Sequence, residues 1–173
     1  DENAFQNIID DTRLMLIHQN FEYAFDYLKA LGVEEVDGVL ADLGVSSFQL
    51  NDDASGFSYR SHIDLDMRMD KSMPKTAKDI LNSYSEEALQ DIFQKYGEVR
   101  NAKTLAQKIV EVRQGKKFQY SDDLNEVLRG IQFGTFETYA APIYQSIRME
   151  VNQELQVLEK MLENVLCEIK SRV

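Results

Sequence analysis

The sequence predicts an α/β protein with a parallel sheet, interrupted by an inserted all-helical region. Two short apolar runs, Leu14 to Ile17 and Val36 to Ala41, flank a helical segment of the length that makes a βαβ unit with a right-handed crossover. No strand candidate of comparable quality occurs from Asp66 to Phe133. The chain then closes on a long amphipathic segment, Ile143 to about Lys170, suited to packing on a sheet.

Taken in order, Ala4, Phe5, Ile8 and Ile9 stand at helical spacing, and the polar stretch Asp10 to Arg13 separates them from the first strand. A helix from about Glu22 to Leu31 stops at Gly32, a residue that tolerates the left-handed conformation helix ends require. The second strand follows. After Gln49 the chain is rich in turn residues and shows no clear periodicity through Met69, which predicts a long irregular loop. Ser85 with Glu86 and Glu87 reads as the start of a helix that ends at Tyr96-Gly97. Val99 to Val112 places Val99, Ala102, Leu105, Ala106, Ile109 and Val110 on one face, with Arg100, Lys103 and Lys108 on the other. Ser121 is expected to cap a further helix, Asp122 to about Ile131. In the last helix, Ile143, Ile147, Val151, Leu155, Leu158, Leu162, Val165 and Ile169 recur at mixed three- and four-residue steps. A coiled-coil seam is the competing reading, but the flanking positions lack the orderly charge alternation it favours.

These 173 residues, 43% of them hydrophobic, suffice for one domain or one domain with an insertion. No apolar run approaches the roughly 20 residues needed to span a bilayer, and DENAFQ has neither the basic nor the apolar region of a signal peptide, so no membrane partner and a cytoplasmic location are expected. A single cysteine, Cys167, excludes a disulfide within these residues and reads as a packing residue. With His18 and His62 far apart it offers no zinc-ligand spacing, and no metal is expected. The net charge of −11 argues against a nucleic-acid partner until its distribution is considered. Between Lys71 and Thr135 eleven Lys or Arg face nine Asp or Glu, a net of +2, which leaves −13 for the remainder. Positive charge is thus concentrated in the helical region, either as an ordinary solvated face or as a phosphate-binding one.

The stretch VDGVLADLGVSSFQ, Val36 to Gln49, is where chemistry is expected. Ligands of open α/β sheets bind beyond the carboxyl ends of the strands, which places Asp42, Ser46, Ser47 and Gln49 at the mouth of a site. A turn capped by Asp42 explains the same residues equally well. A dinucleotide-binding dehydrogenase domain finds no glycine fingerprint.

DGVLADLGVSSFQL, SGFSYR, LDMRMD, YGEVRNAKTLAQKIV and QSIRMEVNQELQVLEKML, in this order, resemble the bacterial small-subunit rRNA (cytosine-N4)-methyltransferase family called RsmH or MraW. The resemblance covers nearly the whole chain, and LDMRMD combined with DLGVSS is a specific pairing. It implies a Rossmann-like, S-adenosylmethionine-dependent methyltransferase core, residues 1–55 and 137–173, with an inserted helical RNA-recognition domain, residues 56–136. The implied reaction is methylation of the exocyclic N4 amine of a cytidine in the decoding region of 16S rRNA, with small-subunit rRNA or the 30S subunit as partner.

The resemblance assigns cofactor contacts to Asp1 at the ribose, Phe21 at the adenine, and Asp42 and Gln49 on the loop. A carboxylate can accept from both ribose hydroxyls and an aromatic ring can cover an adenine face, which suits these roles. Without the family context, Phe21 reads as a plain core phenylalanine and Asp1 as a solvated terminus. Asp42 is also the candidate catalytic residue, an acceptor that would hydrogen-bond a poorly nucleophilic amine. The target base is expected to leave its stack. Arg100, Lys103, Lys108, Arg113, Lys116 and Lys117 are the candidate RNA-binding set. Two family features are not found in these residues: a glycine-rich cofactor loop ahead of Asp1, and a Ser-Phe-His-Ser-type strand after the long helix. FGTFETYAAPI, residues 133–143, also departs from the more basic segment of the relatives and carries a proline. The chain therefore reads as an internal portion of such an enzyme, and the alternative is a catalytically inactive binding or structural module.

Overall fold

The computed structural model describes residues 11–33, 35–45, 56–60 and 62–170, with side chains described as far as Leu166. The chain divides into two compact units, Asp1–Leu43 with Glu154–Val173, and Gly44–Gln153.

In the first unit, the Asn20 side chain accepts the Glu22 N–H at 3.1 Å and opens a 3-10 turn, Phe21–Tyr23, that leads into α1, Ala24–Ala30. The helix stops where the sequence predicts. Gly32 adopts φ +76°, and Val33 N–H returns to the Leu28 carbonyl at 2.9 Å while Gly32 N–H returns to Lys29 at 3.0 Å, a glycine-based C-terminal cap. α7, Glu154–Lys170, packs on this turn and helix through buried Phe25 and Met161. Lys160 Nζ reaches Glu22 Oε2 at 3.0 Å and lies over the Tyr23 ring.

Neither expected strand forms among the described residues. Leu14 to Ile17 and Val36 to Ala41 carry no ladder, and the βαβ unit is not made. A strand is defined by its partner, and a parallel strand needs a covering layer on each face. Here Leu14 to Ile17 stay 41–64% exposed and Leu40 is 99% exposed, so both runs are apolar segments without a sheet.

The second unit is a helical bundle around one apolar core. It comprises α2 (Ala77–Ser83), α3 (Glu86–Gly97), α4 (Ala102–Gly115), α5 (Ser121–Ile131) and α6 (Phe136–Val151). Thr76 and Asp79 form a reciprocal capping box on α2, and Ser85 Oγ accepts the Ala88 N–H to cap α3 as the sequence predicts. Val99, Ala102, Leu105, Ala106 and Ile109 are buried, as their spacing requires, and Val110 is only partly buried against the same core. α3 ends where Glu98 turns left-handed at φ +49°, and Gly97 beside it is required sterically, since a Cβ there would lie 2.7 Å from the Pro142 carbonyl oxygen of α6.

Two expectations are corrected here. Ser121 does not cap α5. Its buried hydroxyl donates to the Arg60 carbonyl and accepts the Ile63 N–H at 3.0 Å, while the Asp123 carboxylate takes the Gln119 and Tyr120 N–H groups, both at 2.9 Å. The segment from Ile143 to Lys170 is not one helix but two, separated at Asn152 and Gln153, the latter at φ +51°. Asn152 is the C-cap of α6, its N–H still on the Arg148 carbonyl, and its side chain ties that end to the loop at Met67: the amide donates to the Met67 carbonyl at 2.8 Å and accepts the Met69 N–H at 2.7 Å. α7 therefore rests on α1 and the 3-10 turn rather than on a sheet.

Candidate functional site

In the first unit, Phe21 and Asp42 line the same cleft, of about 430 Å³, with Phe25, Leu28, Val36 and Val39 among the apolar walls. The Asn20 cap fixes Phe21 at the start of the 3-10 turn, where the ring is 40% exposed rather than consumed by a core. Asp42 is exposed and places an ionisable acceptor at a cleft otherwise lined by apolar side chains and backbone. An aromatic face beside apolar walls suits a flat heteroaromatic group, and a carboxylate acceptor suits hydroxyl or amino hydrogens. Asp1, Ser46, Ser47 and Gln49 lie outside the described residues.

In the second unit, the structure separates the basic candidates by what they touch. Arg113 Nη1 donates to the Leu81 carbonyl at the end of α2, at 2.9 Å. Lys116 pairs with Asp123 at 2.7 Å, and Lys108 with Glu111 at 2.9 Å. Arg100 and Lys103 instead lie together on a cleft of about 470 Å³, with Gln90, Gln94 and Glu98. Lys117 is exposed beyond the far end of α4. α4 has 14 residues, about 21 Å of rise, so Arg100 and Lys117 stand at opposite ends of it. Gln90 and Gln94 escaped the sequence reading; their i, i+4 spacing on α3 was the available signal, but nothing local ties it to Arg100.

The SGFSYR and LDMRMD motifs hold the loop of the second unit. Gly56 has φ +74°, and a Cβ there would collide with the Asp64 carbonyl oxygen, so this close approach admits only glycine. Arg68 grips Asp66 through Nε at 2.8 Å and Nη2 at 3.1 Å, and its Nη1 donates to the Lys71 and Met73 carbonyls. Burial raises the Asp66 carboxyl, but Arg68, its backbone N–H and Lys71 outweigh that and hold the group at about 2. Leu65 and Met67, between these polar residues, are fully buried. Alternation from Leu65 to Arg68 thus sends Leu65 and Met67 into the core and ties Asp66 and Arg68 to each other and to the backbone, whereas Met69 is exposed.

Residues 2–172 match the model of the MraW methylase family, so the class is that of the methylases. The chain is 46% identical to ribosomal RNA small subunit methyltransferase H of Flavobacterium psychrophilum over 96% of its own length and 57% of that protein's. With the protein of the same name from Cytophaga hutchinsonii the identity is 45%, over 99% of this chain and 58% of the relative. With that of Christiangramia forsetii it is 42%, over 94% and 54%. The chain belongs to the MraW methylase family. It spans a little over half the length of these curated relatives. For the family, the name implies a methyltransferase fold and an S-adenosylmethionine-type methyl donor. No described helix is long and apolar enough to cross a membrane.

Proposed function

We propose that this chain carries the donor cleft and the RNA-gripping unit of an enzyme that methylates the exocyclic N4 amine of a cytidine in the decoding region of small-subunit ribosomal RNA. The observation that carries the reading is the meeting of Phe21 and Asp42 on one apolar cleft in a chain of the MraW methylase family. S-adenosylmethionine, when bound, supplies a methyl group activated on a sulfonium. Phe21 offers its ring to the adenine, and Asp42, with Asp1 and Gln49, supplies acceptors for the polar groups of the donor. Asp42 also accepts a hydrogen bond from the cytosine amine and orients a nitrogen whose lone pair is delocalised into the ring. Much of the rate comes from this positioning. The helical unit is the inserted RNA-recognition domain. Arg100, Lys103 and Lys117, exposed and without a described partner, take phosphates, and Lys108, Arg113 and Lys116 hold the surface that presents them.

Calorimetric titration of S-adenosylmethionine tests the cleft, using this chain and a version lengthened to the span of its relatives. Phe21→Ala is expected to weaken binding about fivefold, the size of one lost aromatic contact. Asp42→Asn is expected to lower turnover of the lengthened version by more than it lowers affinity. Equal affinity for the parent and Phe21→Ala contradicts the assignment. Binding without turnover in the lengthened version supports the alternative, a module that holds ligand and does no chemistry.

A further inference from the structure

Phe133 is the most exposed large aromatic side chain described in the helical unit, at 67%. It lies in the short link between α5 and α6, followed by Gly134 at φ +75°, and its ring packs edge-on against Tyr139 with centroids 6.5 Å apart. The Tyr139 hydroxyl donates to Asn101 Oδ1 at 3.0 Å, and Asn101 Nδ2 donates to the Ile131 carbonyl at 3.3 Å. Asn101 stands between Arg100 and the start of α4, so these bonds bring the Phe133 link to the end of α4 that carries Arg100 and Lys103. Both cations are exposed, and neither has an ion pair or side-chain hydrogen bond among the described residues. Gln90 and Gln94 line the cleft beside them, and Glu98 is its one carboxylate.

We propose that Arg100, Lys103 and Phe133 form a binding surface for single-stranded RNA, with phosphates on the two cations and one unstacked base on the Phe133 ring. This rests on the reading of the chain as an RNA-methylating protein and locates where its helical unit holds the strand. Cations that track a backbone beside an aromatic ring are the physical signature of single-strand recognition, because every base has a face to stack. A duplex offers no free base face to Phe133. Gln90 and Gln94 add donors and acceptors for base edges. An acidic peptide would use the cations but gain nothing from the ring face and the amides together.

The test is fluorescence anisotropy with a labelled, unstructured RNA of about ten nucleotides, across a salt series, against a duplex of equal length and a poly-glutamate peptide. Phe133→Ala is expected to weaken single-strand binding about tenfold and leave the salt slope unchanged. Arg100→Gln with Lys103→Gln should reduce the log–log salt slope by about 1.4, the loss of two phosphate contacts. Lys75→Gln, an exposed lysine over the Tyr84 ring, should change neither. Unaltered thermal melting by circular dichroism separates lost contacts from lost fold. RNA binding that both variants leave untouched overturns this surface while the RNA reading stands. Tighter binding of the duplex or of the peptide also overturns it. Failure of the parent to bind any RNA removes the surface and the RNA half of the proposed function, whereas the donor cleft is judged separately by its own titration.

Discussion

The two units bury their apolar residues to very different degrees. In the helical unit Leu65, Met67, Leu89, Phe93, Leu105 and Ile143 are fully buried, whereas in the other unit Leu14, Met15, Leu16, Ile17, Val39 and Leu40 all remain at least 41% exposed. Helices satisfy their own backbones and need only each other's faces to close a core. Strand-like runs need hydrogen-bonded neighbours and a covering layer before their side chains contribute anything. Stability of the described structure therefore resides in the helical unit, while the candidate chemistry at Phe21 and Asp42 sits in the unit with the smaller core.

This contrast can be broken by mutation. Phe93→Ala is expected to cost about 3–5 kcal/mol in urea-induced unfolding of the helical unit, because a fully buried ring leaves a cavity. Asp66→Asn should come next, at about 2 kcal/mol near neutral pH. The sign follows from the depressed carboxyl: its stabilisation is complete above pH about 4 and is lost as pH falls toward about 2, so the substitution should flatten the acid limb of the stability profile. Leu16→Ala is expected to change stability by less than about 0.5 kcal/mol, since 45% of the side chain is already in water. A large effect of Leu16→Ala would mean that Leu16 packs into a core of the first unit, which its exposure contradicts.

What could be read from the sequence follows the range of the forces involved. The caps at Gly32 and Ser85 act within a turn or two, so local residues place those helix ends. The roles of Ser121 and Asn152 are not legible locally because their partners, Arg60, Ile63, Met67 and Met69, lie far away in sequence. The same holds for the candidate sites. Phe21 and Asp42 came from motif resemblance and were found on one cleft, but the company that Phe133 keeps with Arg100 and Lys103 depends on Asn101 and Tyr139, and no local pattern announces it. The two apolar runs resembled strands because composition records what a segment could pair with, and pairing itself is decided elsewhere.

The central claim is a methyl donor held at Phe21 and Asp42 and a cytidine amine delivered to it. Its most direct test is transfer of a labelled methyl group from S-adenosylmethionine to small-subunit ribosomal RNA by the version lengthened to the span of the relatives, followed by mass analysis of the nucleosides. The account predicts label on cytidine at the N4 amine, sharply reduced by Asp42→Asn; label on another nucleoside, or transfer indifferent to Asp42, would contradict it.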